Sequence, residues 1–122
     1  MAARIYPIQH KGKTIYYSDW SNIIIEAEIY AAIEETTLFV EQLGEYGLYE
    51  IVDVRGTITP ASAMGLVIES AKRTKPFGKR KAIVGVTGTK LTILKAVNRF
   101  IDGNIQGFSD LEAAKEWLVN EG

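Results

Sequence analysis

Apolar residues recur along this chain with two different periods, and the changes of period divide it into segments. Over residues 4–9 and 14–18, Ile and Tyr are interleaved with polar residues, which predicts two strands. Between them His10-Lys11-Gly12-Lys13 predicts a hairpin turn. The spacing then becomes three and four. Ile25, Ile29, Ile33, Thr36, Val40 and Leu43 lie on one stripe of a helix that Ser21 or Asn22 can cap and Gly44 stops. Residues 49–54 follow as a short apolar strand. Thr59-Pro60 reads as an N-cap with proline at the first helical position, where its missing N–H costs nothing. That helix runs to about residue 74 with Met64, Val67, Ile68 and Ala71 inward, and Pro76 ends it. Residues 82–86, AIVGV, are apolar without alternation, as in a strand covered on both faces. Thr89 caps a third helix with Leu94, Val97 and Ile101 inside, and Gly103 closes it. A brief strand over 105–108 leads to Ser109 and Glu112, an S-x-x-E capping box. The last helix then presents Leu111, Ala114, Trp117 and Leu118.

The order β-β-α-β-α-β-α-β-α predicts an α/β fold with right-handed crossovers. Its sheet is mostly parallel with an antiparallel first strand. At 122 residues the chain suits one domain over 1–122, with no repeat, low-complexity tract or long linker. It has no cysteine, which removes thiolate chemistry and disulfides and fits a reducing compartment. No apolar run reaches membrane-spanning length and the opening residues lack a signal-peptide pattern, so a cytoplasmic location is expected.

Charge changes the picture in one respect. Residues 21–54 hold eight acids and no Lys or Arg, whereas residues 55–99 hold ten bases and one acid, Glu69. Such a split can mark a surface for nucleic acid, but the net charge of −1 argues for acidic and basic elements neutralising each other within the fold or across a dimer. Nucleic acid is therefore not the expected partner. The densest basic run, Lys72, Arg73, Lys75, Lys79, Arg80 and Lys81, surrounds the end of the second helix, where cations offset the dipole. That structural role suffices to explain the run, and a phosphate-bearing partner or an acidic helix of another protein is the alternative.

Catalytic chemistry finds little material. His10, the single histidine, falls in a predicted turn between basic residues and is expected to be solvated. With one His and no Cys the usual zinc set cannot be made, so no metal and no cofactor are expected. Glu34 and Glu35 are sequence neighbours on a helix and point apart, as a solvated face would. GVTGTK resembles a phosphate loop only superficially, because Gly85 and Gly88 are too close together and Leu91 follows the lysine.

Topology supplies the better candidate. In an open α/β sheet ligands bind beyond the carboxyl ends of the parallel strands. That edge gathers Asp19, Trp20 and Ser21, then Arg55, Thr57 and Thr59, then Thr87, Gly88, Thr89 and Lys90. Helix N-termini there suit an anion, and Arg55 and Lys90 add full charge. The alternative is that Thr59 and Thr89 only cap their helices, for about 1 kcal/mol each. Trp20 is an interface anchor if exposed and core if buried.

The stretches TIYYSDWS, YEIVDVRGT, RKAIVGVTGTKLTILKAVNRF and FSDLEAAKEWL resemble the anti-sigma-factor-antagonist, or STAS, fold, and within it small stand-alone bacterial proteins. The resemblance spans most of the chain from Thr14 to Leu118 and implies a regulatory, protein-binding role. Typical members carry a D-S-x-G-like motif whose serine is phosphorylated by a partner kinase. Here the stretch is TPASAMG: Ser62 is the phosphorylation candidate, Ala61 stands where the aspartate would be, and Gly65 comes one residue late. Against that, Ser62 is an ordinary first-turn residue.

Three functional readings follow. The first is a non-catalytic binding or regulatory module that docks a protein partner or another copy of itself. The second is a carrier or sensor of a small anionic or amphipathic ligand, with a pocket lined by Trp20, Arg55, Thr57 and Thr89. The third is an enzyme in which Asp19 or Asp53 acts as acid or base with Lys90 or Arg55 as electrophile.

Overall fold

The computed structural model describes residues 4–120. Strands β1 (Ile5–His10) and β2 (Lys13–Asp19) form an antiparallel hairpin. Its two-residue turn places Lys11 at φ 51° and Gly12 at φ 79°, the paired positive angles that match the strand twist. Strands β3 (Leu48–Asp53), β4 (Gly78–Val84) and β5 (Gln106–Phe108) add in parallel, so the sheet runs β1-β2-β3-β4-β5. The crossovers carry helices α1 (Glu26–Leu43), α2 (Met64–Thr74) and α3 (Thr89–Ile101), and α4 (Leu111–Val119) follows β5.

Alternation along the strands creates two cores. Ile15, Tyr17, Ile51, Ala82 and Val84 meet Ala114 and Leu118 of α4 on one face. On the other, Ile83 of β4 meets Ala71, Leu94, Val97 and Ile101 of α2 and α3, and Tyr16 of β2 meets Val40 of α1. Fully burying a side chain such as Ile51 contributes about 1.5–3 kcal/mol, so either face outweighs any single polar contact. Strand β4 starts four residues before its apolar run, because Gly78, Arg80 and Lys81 pair with β3, with a shift of register at Lys79, although their composition reads as loop. The split charge is met inside the fold in part: Arg73 of α2 forks onto Glu41 of α1, with Nη2 to Oε1 at 2.5 Å.

The helix starts differ from the sequence expectation. Neither Ser21 nor Asn22 caps α1, which begins at Glu26 after Ile25 without a side-chain cap. Ser21 instead donates from N and Oγ to Asp19 Oδ1, and Asn22 sits at φ 56° in the connection. Ile25 therefore falls outside the buried stripe and is exposed. Thr59 caps nothing. Pro60 leads into a single 3-10 turn, Ala61–Ala63, and α2 starts only at Met64. Thr89 is the first residue of α3 rather than its cap, a place Gly88 holds at φ 54°. At the other end Asp102 takes the left-handed position that was expected of Gly103.

For α4 the cap is Asp110, whose Oδ1 accepts from Glu112 N at 2.8 Å, rather than Ser109. Asp110→Ala is thus expected to cost about 1 kcal/mol and Ser109→Ala close to nothing, measured by urea unfolding. His10 is also not solvated. It lies at the end of β1, largely covered, with Nε2 2.9 Å from Glu116 Oε1, while Lys11 Nζ holds Glu116 Oε2 at 2.7 Å. The hairpin end and α4 are thereby clipped together at the start of β2, the end of the strand opposite the carboxyl edge.

Candidate functional site

The carboxyl edge is built from three connections that follow β2, β3 and β4, and hydrogen bonds sew them together. Trp20 N donates to Asp53 O at 2.9 Å, Asn22 N to Arg55 O at 2.8 Å, and Ile58 N to Ile23 O at 2.9 Å. Thr57 pins the first two connections: its buried hydroxyl donates to Trp20 O and accepts from Ile23 N at 3.3 Å. A side chain so committed has little left for a ligand.

Beside this seam lies a cavity of about 120 Å³ between the sheet and α1, α2 and α3. Its floor is Val52, Val54 and Ile83, and its walls include Ile29, Ile33, Ala63, Val67 and Leu94. Trp20 is half-buried against Ile23, Ile29 and Ala63, with Nε1 donating to Thr36 Oγ1 at 3.0 Å. It is a wall of the cavity, not a free anchor. Thr57, Thr59 and Lys90 also line the space. Lys90 Nζ donates to Val54 O at 2.7 Å, and burial pulls its pKa below the usual lysine value against the opposing pull of Asp53.

The other expected site residues lie elsewhere. Arg55, Asp19, Thr87, Gly88 and Thr89 are not among the lining residues, so of the four side chains expected to line a pocket only Trp20 and Thr57 do. Arg55 is held on Asp53, which is fully buried at the end of β3. Asp53 Oδ1 accepts from Arg55 N at 3.1 Å and Nε at 3.0 Å, and Oδ2 accepts from Nη2 at 2.6 Å. Tyr17 OH donates to the same Oδ2 at 2.5 Å. Burial acts to raise the Asp53 pKa, but the hydrogen bonds from Arg55 and Tyr17 outweigh it and hold the carboxyl below the usual aspartate value. Burial first, then the Asp53 bond, pushes the Tyr17 phenol up. A carboxylate so saturated by donors is a structural knot, and its side chain lies outside the cavity lining.

Two functional-looking features escaped the sequence. In the sequence the cavity walls look like core, because an apolar stripe has the same spacing whether it meets another side chain or empty space. Glu50 stands there as one acid among eight, yet it is 4% exposed in the middle of β3. Burial raises its pKa, and Lys81, its register partner on β4, opposes that. A carboxylate inside an otherwise apolar interior strand was the available signal. Glu50, Lys75, Lys79, Arg80 and Lys81 line a second, more polar cavity of about 270 Å³. The basic run is thereby partly folded into the protein: Lys75 Nζ donates to Ile101 O at 2.5 Å, and Arg80 lies over Trp117, 4.0 Å from the ring centre. Among the described residues no group of three or more His, Cys, Asp or Glu is placed to hold a metal, and no helix is long and apolar enough to cross a membrane.

No family model and no curated protein matches this chain. Among solved structures, an anti-sigma-factor antagonist (STAS) domain protein from Planctomyces limnophilus superposes with a TM-score of 0.64. The match covers 95% of this chain and 98% of that one at 16% identity. The fold is STAS-like.

Within a STAS-like frame Ser62 takes on specific interest. It sits in the 3-10 turn before α2, exposed, with Oγ donating to Glu26 and 2.5 Å from Tyr30 OH. Tyr30 OH also donates to Glu26, and these two hydroxyls lower the Glu26 pKa. A phosphate on Ser62 would meet the Glu26 carboxylate directly, a like-charge contact that opposes such a modification.

Proposed function

We propose that this chain is a non-catalytic, cytoplasmic binding module whose cavity at the carboxyl edge holds a small apolar or amphipathic molecule. The observation that carries the reading is the cavity itself: about 120 Å³ of space walled by Ile29, Ile33, Val52, Val67 and Leu94. An enclosed apolar cavity of comparable size, about 150 Å³, takes up a guest as large as benzene, so this space has room for a small molecule. The absence of an acid–base pair from the lining supports a holding role over a reaction.

Val67→Phe is expected to abolish guest uptake while leaving stability unchanged or raised by about 0.5–2 kcal/mol, as cavity filling commonly does. The measurement is native mass spectrometry of protein taken gently from its host, before and after denaturation. A small mass on the wild type, lost on denaturation and missing from Val67→Phe, is the expected result. Bare polypeptide, together with no shift of cavity resonances when benzene is added, would overturn the reading.

Docking of a protein partner or a second copy is the other reading. It is favoured by Ile24 and Ile25, which stand 71% and 56% exposed on the connection before α1. Replacing both by serine is expected to abolish any self-association seen by sedimentation.

A further inference from the structure

The charged lining of the cavity is of one sign. Among the described residues that line it, the ionisable side chains are Lys81 and Lys90, and no Asp, Glu or His accompanies them. The two lysines are not equivalent. Lys81 is in register with Glu50 on β3 and also lines the second, more polar cavity. Lys90 borders the connection after β3, at the carboxyl edge. Its ammonium makes one hydrogen bond, to the Val54 carbonyl, and the carboxylate acting on it, Asp53, is taken up by Arg55 and Tyr17. Apart from that of the exposed Thr59, the other polar side chains of the wall are spent within the protein. Trp20 Nε1 is on Thr36, the Thr57 hydroxyl joins two connections, and Ser70 Oγ is 2.5 Å from Thr37 Oγ1. An ammonium carries three N–H donors, so Lys90 keeps two for a guest.

We infer that the cavity selects a small amphipathic anion, a monocarboxylate with a short hydrocarbon tail. Its head meets Lys90 at the carboxyl edge and its tail lies against Ile29, Ile33, Val67 and Leu94. The inference rests on the binding reading above and adds to it the sign and position of the guest's charge. A cation would meet two lysines and no acid. A neutral guest would leave the half-buried ammonium with only a carbonyl partner, whereas a carboxylate supplies the stronger, charge-assisted bond. The volume limits the tail to about six carbons, close to the size of guest that comparable apolar cavities accept.

The test compares hexanoate with hexanamide, which share a tail and differ in charge, by calorimetric titration of the full chain. Hexanoate is expected to bind at least about tenfold more tightly. Lys90→Met is expected to remove that preference while keeping hexanamide binding, and Lys90→Arg is expected to retain the preference. Equal binding of acid and amide by the wild type, or a preference that survives in Lys90→Met, overturns the inference and leaves the apolar cavity reading intact. Binding of neither probe at millimolar concentration overturns both. The wild-type comparison stands even if a Lys90 variant does not fold.

Discussion

Arg55→Met is expected to destabilise the domain by about 2–4 kcal/mol at neutral pH, and the deficit is expected to shrink as the solution is acidified. The expected cost falls at or below that of breaking a fully buried pair, because the Arg55 side chain is 49% exposed while Asp53 is 1% exposed. In the wild type the Asp53 carboxyl is held below the ordinary aspartate value, so its contribution is present above about pH 4 and is lost as pH falls through the folded value. Without the guanidinium, burial is opposed by Tyr17 and by the backbone N–H of residue 55, which the substitution keeps, so the folded pKa rises. The stability that Asp53 loses on acidification is then smaller than in the wild type. The two stability curves therefore converge from pH 7 toward pH 3, on either side of the unfolded aspartate value. Urea unfolding across that range is the check. A gap independent of pH would show that Arg55 acts through packing of the connection and not through the carboxylate.

Gly85→Ala carries the other large effect. Gly85 has φ +93°, and a Cβ there would stand 2.9 Å from both the N and Cα of Arg55. Those are backbone atoms of a connection sewn to its neighbours by Val54 N to Val84 O and Asn22 N to Arg55 O, so they cannot step aside independently. The strained backbone costs about 1–3 kcal/mol and the overlap a similar amount, for a total of about 2–6 kcal/mol. That is a large share of the usual 5–15 kcal/mol of a whole domain. Gly88→Ala is the control. Its φ is also positive, +54°, with ψ −124°, but no atom lies within 4 Å of the added methyl, so only the backbone cost of about 1–3 kcal/mol is expected. Equal losses in the two variants, read by thermal or urea unfolding, would remove the steric argument and leave only the backbone angle.

Both substitutions fall at the carboxyl ends of β3 and β4, which explains how the candidate site is held. The knot of Asp53, Arg55 and Tyr17 fixes the connection after β3 from the α4 side of the sheet. Thr57 fixes the same connection to the one after β2. The cavity lies on the opposite side of the sheet, between β3, β4 and the three crossover helices. Residues expected to meet a ligand thus turn out to hold the loops that border one.

Much of the architecture was legible in the sequence because periodicity is local. Ile29, Ile33 and Val40 have to share a helix face, and the β-α-β order leaves parallel pairing with an antiparallel β1. The αL stop at Gly44 and the end of α2 at Thr74 follow from single residues in the same way. The resemblance of the quoted stretches to the STAS fold agrees with the superposition. What one residue can do in two ways was settled by tertiary structure alone. Ser21 had an aspartate, Asp19, within reach and bonded to it instead of to a helix end; Asp110 was one residue better placed than Ser109. Arg55 found a buried carboxylate instead of a ligand, and His10 found Glu116, which is 106 residues away in the chain. The cavity belongs to this second group. Spacing specifies which side chains face inward, but whether they meet or leave room depends on how far apart the sheet and three helices settle. That distance is set by the volumes of side chains from every element at once, and no local pattern records it.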